Sequence, residues 1–170
     1  MPVMRSGLLG FLIFVAGLMS GFVFTAQADE ASLVVVTGRQ SRLRDVPMTY
    51  LLQMFRGETQ VLPDGSPASL VLSSAADNRD LFYSLHLRAS EKIFLRHWQN
   101  LVFKGKASRI PAIPTSVDAI KMLFASDPRT VAVIGRDELS ALGNLVRTVN
   151  VDGIDPGSDK YPLKKSLPAS

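Results

Sequence analysis

Val131-Ala132-Val133-Ile134-Gly135 is a short, continuous apolar run, rich in β-branched side chains and closed by a glycine. A run of this kind, too short for a helix and without polar alternation, predicts a strand buried on both faces. Working outward, the same signature recurs at Leu33-Val34-Val35-Val36, which Thr37-Gly38 closes, and again from Ser69 to Leu72. Leu145 to Val151 reads as a last strand, followed by the turn pair Asp152-Gly153 and a loop-like tail.

The segments between these runs carry the helical period. Pro47 stands where a helix can start, with Tyr50, Leu51, Met54 and Phe55 on one face and Gly57 as its C-terminal cap. Residues 78–87 place Leu81, Phe82 and Leu85 on one stripe. Ser90 caps a longer helix carrying Phe94, Trp98 and Leu101, which Gly105 ends. Thr115-Ser116-Val117-Asp118 resembles a capping box that opens a helix with Val117, Ile120 and Leu123 inward. Pro63-Asp64-Gly65-Ser66-Pro67 is a turn cluster, and Pro111 and Pro114 mark an extended connector. Strands separated by helices predict an α/β fold: a largely parallel sheet with helices on both faces.

The N-terminus has a different character. Arg5 precedes an apolar run over residues 7–24, and Ala26-Gln27-Ala28 supplies small residues around a cleavable bond. That order predicts a secretory signal peptide over residues 1–28, with a single domain over residues 29–170 and the periplasm as destination. A retained membrane anchor is the competing reading, because the run approaches bilayer-spanning length.

Composition removes several functions. Of 170 residues, 46% are hydrophobic and 20% charged, as in a globular chain. The net charge of +4 comes from scattered basic residues, so no nucleic-acid partner is expected. No cysteine is present, which excludes disulfides, thiolate metal sites, thiol catalysis and a lipid-modified cysteine anchor. His86 and His97 are the only histidines, and neither has a carboxylate at metal-ligand spacing. No nucleophile–base pair is recognisable, so no catalytic residue, cofactor or metal is assigned and the chain is not read as an enzyme. Trp98 shares a stripe with Phe94 and Leu101 and reads as core.

Two places suit an anion. Arg39, Arg42 and Arg44 follow a buried strand within a few residues, and arginine forks match phosphate and carboxylate; a solvated basic loop is the plainer reading. Ser73, Ser74, Asp77, Asn78 and Arg79 lie where a strand gives way to a helix, and free N–H groups at a helix start attract anions. Ordinary capping by Asp77 or Asn78 competes with that reading. The adjacent pair Asp137-Glu138 receives no acid–base role, because neighbours in sequence do not face one another on a helix.

Several segments together carry a resemblance. Leu52-Gln53-Met54-Phe55-Arg56-Gly57 resembles the "IF-x-G-K" helix end of phosphate-type solute-binding proteins. Phe82 is similar to the phenylalanine of that family's next helix. Trp98 with Phe103-Lys104-Gly105 resembles its "W-x(4)-F-x-G" segment, and Val131 to Gly135 its "gaIGY" strand. Val149-Asn150-Val151-Asp152-Gly153 with Tyr161-Pro162-Leu163 is similar to its "v-x-v-dG…YPL" ending. Order and spacing agree from about Leu33 to Leu167. The resemblance implies one lobe of a type 2 periplasmic-binding protein and a small anion such as phosphate as ligand, in ABC-type uptake. It points to an anion site at Thr37, Gly38, Ser73, Ser74, Asn78 and Arg79, with Thr37 and Ser74 expected at one edge of the sheet.

The departures are specific. A full member closes two lobes on its anion, and this chain has room for one. The family's Ser-Gly-Thr turn is absent from Ser73-Ser74-Ala75-Ala76-Asp77-Asn78-Arg79, Asp77 adds a negative charge, and Gly135-Arg136 replaces Gly-Tyr. Two functions therefore compete. One is a module that holds a small anion for a transporter, with a homodimer supplying the second wall. The other is a degenerate lobe that acts as a protein-interaction or sensory accessory module, docking on a membrane transporter or sensor.

Overall fold

The computed structural model describes residues 32–164; the expected signal peptide lies outside the described residues. The strands are β1 (Leu33–Gly38), β2 (Asp45–Val46), β3 (Ser69–Leu72), β4 (Thr130–Gly135) and β5 (Val146–Val151). The helices are α1 (Met48–Phe55), α2 (Ala76–Phe82), α3 (Glu91–Phe103), α4 (Val117–Ser126) and α5 (Arg136–Leu142).

One five-stranded sheet runs in the order β2-β5-β1-β4-β3. The pairs β2–β5 and β3–β4 are parallel, whereas β1 runs antiparallel to both neighbours, β4 and β5. Four strands therefore share a direction, so the sheet is largely parallel, and only the central strand is reversed. In register, Leu33 sits opposite Gly135 and Thr37 opposite Val131. Every residue of β1, β3 and β4 is buried, which requires cover on both faces and explains their unbroken apolar runs.

The helices follow their local signals. Ser90 Oγ accepts from Ile93 N and Ser116 Oγ from Ala119 N, so two hydroxyl caps set the starts of α3 and α4. α1 starts directly after Pro47 and stops before Gly57, which adopts φ +74°. Only glycine fits there: a Cβ would lie 2.3 Å from Leu101 Cδ1 and against the Trp98 ring. Beyond Phe82, residues 83–87 form a π-helical turn that ends on Arg88 at φ 51°.

Phe55, Phe82, Phe94 and Trp98 tie α1, α2 and α3 together, with Phe55 and Phe82 edge to face at 5.1 Å between ring centroids. Trp98 is a core residue, and its indole Nε1–H donates to Phe55 O at 2.9 Å. The tail after β5 is loop-like, as expected, yet it is anchored, because Tyr161 and Leu163 are buried. The Tyr161 hydroxyl donates to Val149 O (3.1 Å) and accepts from Val35 N (3.2 Å), bridging β5 and β1. Ser32 forms an antiparallel bridge with Lys164, so the two ends of the described chain lie side by side. Beyond the free side of β3, the connector through Ala112 adds two backbone bonds: Ala112 N to Leu70 O at 2.8 Å, and Leu72 N to Ala112 O at 2.9 Å. Among the described residues, no helix is long and apolar enough to cross a membrane.

Candidate functional site

The expectation that Thr37 and Ser74 share a sheet edge is overturned by the register. Thr37 and Gly38 end β1 beside the start of β4, because Thr37 pairs with Val131. Ser73 and Ser74 follow the end of β3, level with the end of β4, because Leu72 pairs with Val133. The reversal of β1 puts the two groups at opposite ends of the sheet, about 15 Å apart at strand rise. Thr37 has a local task instead: its hydroxyl donates to Thr130 O at 3.0 Å. Gly38 packs on Pro128, where a Cβ would meet Pro128 O at 3.2 Å. Neither belongs to an anion site with the serines.

Ser73, Ser74, Asn78 and Arg79 do come together, at the turn from β3 into α2. What the two serines hold is Glu138, in the first turn of α5 and buried. Ser73 Oγ donates to Glu138 Oε2 at 2.6 Å. Ser74 donates to Oε1 twice, from its backbone N at 2.7 Å and from Oγ at 2.5 Å. Gly135 N donates to Oε2 at 2.9 Å. The last bond is the return half of a capping box; glycine has no side chain to supply the other half. Two hydroxyls and two backbone N–H groups thus converge on one carboxylate. Burial pushes the Glu138 carboxyl up, but the bonds from Ser73, Ser74 and Gly135 outweigh it, so its pKa lies below the usual value. The group is therefore a charged carboxylate near neutral pH.

Arg79 does not face a ligand. Its Nη1 donates to Ser73 O (3.0 Å) and Ser74 O (2.8 Å), and its Nε pairs with Glu91 at 3.0 Å. It clamps the serine turn from behind, against the start of α3. The amide of Asn78 fills the space beside Gly135, where a Cβ would come within 2.2 Å of Asn78 Nδ2. Asp77 is exposed on the first turn of α2.

The arginines after β1 are spread along a surface loop. Arg39, Arg42 and Arg44 are exposed, and Arg44 donates back to Ser41 O within its own turn. The buried Nε2 of His86 has no hydrogen-bond partner among the described residues, and burial lowers the His86 pKa, so the ring is neutral near pH 7. His97 Nε2 donates to Arg56 O at 2.8 Å, which places the ring proton on Nε2. Among the described residues, no group of three or more His, Cys, Asp or Glu is placed to hold a metal ion.

Sequence reading found the serine turn and missed its occupant. The only local signal for Glu138 is its position three residues after the strand-ending Gly135, the return position of a capping box. Its serine partners lie 65 and 64 residues away, beyond the reach of any local pattern.

The fold has solved counterparts. An ABC-type phosphate transport receptor from Vibrio cholerae superposes with a TM-score of 0.56 at 16% identity, over 76% of this chain and 49% of that one. PstS from Borrelia burgdorferi gives 0.56 at 17% identity, over 79% of this chain and 54% of its own. The chain spans about half the length of these structures. No protein-family model matches the sequence, and no curated protein matches it. The chain has the α/β fold of one lobe of a phosphate-type periplasmic binding protein. A putative phosphate ABC transporter substrate-binding protein from Clostridium perfringens, solved with bound phosphate, superposes with a TM-score of 0.54 at 14% identity, over 74% of this chain and 47% of that one.

Proposed function

We propose that this chain is an exported, solute-binding-like lobe that works as a protein-interaction or sensory accessory module, its anion cradle filled from within by Glu138. The observation that carries this reading is the set of four donors spent on one internal carboxylate. A phosphate entering the same turn would meet no free donor among these four. It would also face a like charge: two unit charges 4 Å apart repel by about 4 kcal/mol at an effective dielectric constant of 20. Arg79, the one cation of the turn, is committed to the Ser73 and Ser74 carbonyls and to Glu91. The N-terminal signal-peptide pattern supports delivery to the periplasm, where a membrane transporter or sensor is the matching partner.

The second reading is a lobe that carries phosphate or another small anion for ABC-type uptake, with a homodimer closing the site. The likeness to phosphate receptors favours it. Calorimetric titration of the purified protein with phosphate at low ionic strength separates the two. No saturable heat at millimolar phosphate is expected. Saturable binding by the wild-type protein, with a shift toward dimer in sedimentation, would overturn the interaction-module reading and establish the uptake one.

A further inference from the structure

Helix α4 has two apolar faces. Ile120 and Phe124 enter the core, while Ala119, Met122 and Leu123 form a second stripe at helical spacing. Met122 is 67% exposed, an unusual position for a large apolar side chain beside other apolar surface. Across from this stripe runs the connector beyond β3, with Ile113 and Pro114 facing α4. Together they form an open groove of about 380 Å³. A smaller cavity of about 70 Å³ adjoins it, sharing Ala112, Leu123 and Ser126, and is lined also by Arg109 and Asp127.

A basic cluster stands next to the groove, reached through the smaller cavity that Arg109 lines. Arg109 and Arg129 both pair with Asp127, at 3.5 Å and 3.0 Å, so two guanidiniums share one carboxylate and a positive charge is left over. Both arginine side chains are more than half exposed. Ser69 also donates to Asp127 and accepts from Arg109, which fixes the cluster at the start of β3. Strand addition along the connector is poorly supported: Ala112 already bonds β3, and Pro111 and Pro114 have no N–H, which leaves Ile113 alone of residues 111–114 to donate. A partner is therefore held mainly through its side chains.

We infer that the groove between α4 and residues 112–114 receives an amphipathic helix of a partner protein, its apolar side chains beside Met122 and an acidic residue reaching Arg109 and Arg129. The inference rests on the interaction-module reading and names the partner's chemistry. An apolar floor with a basic cluster next to it fits an apolar stripe flanked by a carboxylate, and helix-in-groove recognition reads such anchors at i, i+3, i+4 and i+7. Charge next to the groove sets the direction in which the helix lies.

The test uses three Ala-based helical peptides of about 16 residues, long enough to hold a helix. One carries Leu anchors with Glu one turn beyond, one has Lys in place of Glu, and one has Ser in place of Leu. Fluorescence anisotropy with the whole protein is expected to show saturable binding of the Leu–Glu peptide only. Met122→Lys and Arg129→Gln are each expected to weaken it by about tenfold or more, with unchanged circular dichroism and thermal midpoint showing that both variants fold. Equal binding of the Leu–Lys peptide, no effect of Met122→Lys, or no binding of any peptide at millimolar concentration would overturn the inference. So would binding to phosphatidylglycerol vesicles in place of peptide, which would make the surface a membrane contact, or self-association that Met122→Lys abolishes. Phosphate titration reads the Glu138 cradle and not the groove, so failure of the interaction-module reading remains distinguishable from failure of this one.

Discussion

Replacing Glu138 with alanine is the sharpest probe of the cradle. The carboxylate accepts from Ser73 Oγ, from Ser74 N and Oγ, and from Gly135 N. The two hydroxyls can turn elsewhere, and Ser73 Oγ already lies 3.3 Å from Ala75 O. The two N–H groups cannot, and each buried donor left unpaired costs about 1–3 kcal/mol. Part of that is offset because a charge no longer has to be desolvated, leaving a net loss of about 3 kcal/mol. For a domain of this size such a loss lowers the melting temperature by roughly 10 °C. Thermal unfolding followed by circular dichroism measures it. The pH dependence adds a second reading. The folded-state pKa of Glu138 is lowered, so its contribution is complete above the unfolded carboxyl value of about 4.3 and is lost as pH falls through the folded value. The variant is therefore expected to lose less stability than the wild type between about pH 5 and the acid limit. A melting temperature within about 2 °C of wild type, with an unchanged acid limb, would refute the claim that this carboxylate holds the turn together.

Two further variants test the neighbouring assignments. Arg79→Ala removes the clamp on the Ser73 and Ser74 carbonyls and the partner of Glu91. Chemical denaturation is expected to show about 2 kcal/mol of lost stability with an unchanged denaturant slope; a neutral change would mean that the clamp is dispensable. Tyr161→Phe leaves Val35 N and Val149 O without the hydroxyl that joins them and is expected to cost about 2 kcal/mol. Burial raises the Tyr161 phenol to about 12. Its contribution is therefore intact below the unfolded value of about 10 and falls as pH rises toward the folded value, a decline that stability curves of the phenylalanine variant should show less of.

The strands were legible because β1, β3 and β4 are buried on both faces, and that writes an unbroken apolar run into each. The same run carries no direction. A strand buried on both faces has the same pattern whichever way it runs, so the reversal of β1 could not be read, and Thr37 was placed at the wrong end. Helix starts were legible at Ser90 and Ser116, where a single hydroxyl makes a local bond. Tyr161 and Leu163 were harder: each is an isolated apolar residue in a turn-rich tail, and their burial depends on distant strands. The candidate site divides along the same line. The serine turn is local chemistry and was found. The carboxylate that fills it, and the inward clamp of Arg79, are tertiary facts.

The bridge between Ser32 and Lys164 has a practical consequence for handling the lobe. The ends of the described residues lie side by side, so a short linker from Lys164 to Ser32 would join them without stretching the sheet between them. A circularly permuted form, opened at the exposed turn around Gly65, would then keep every strand pairing described above. The same closeness suits the lobe to insertion as a cassette within a host protein, because the host's two attachment points need to lie only a strand's width apart.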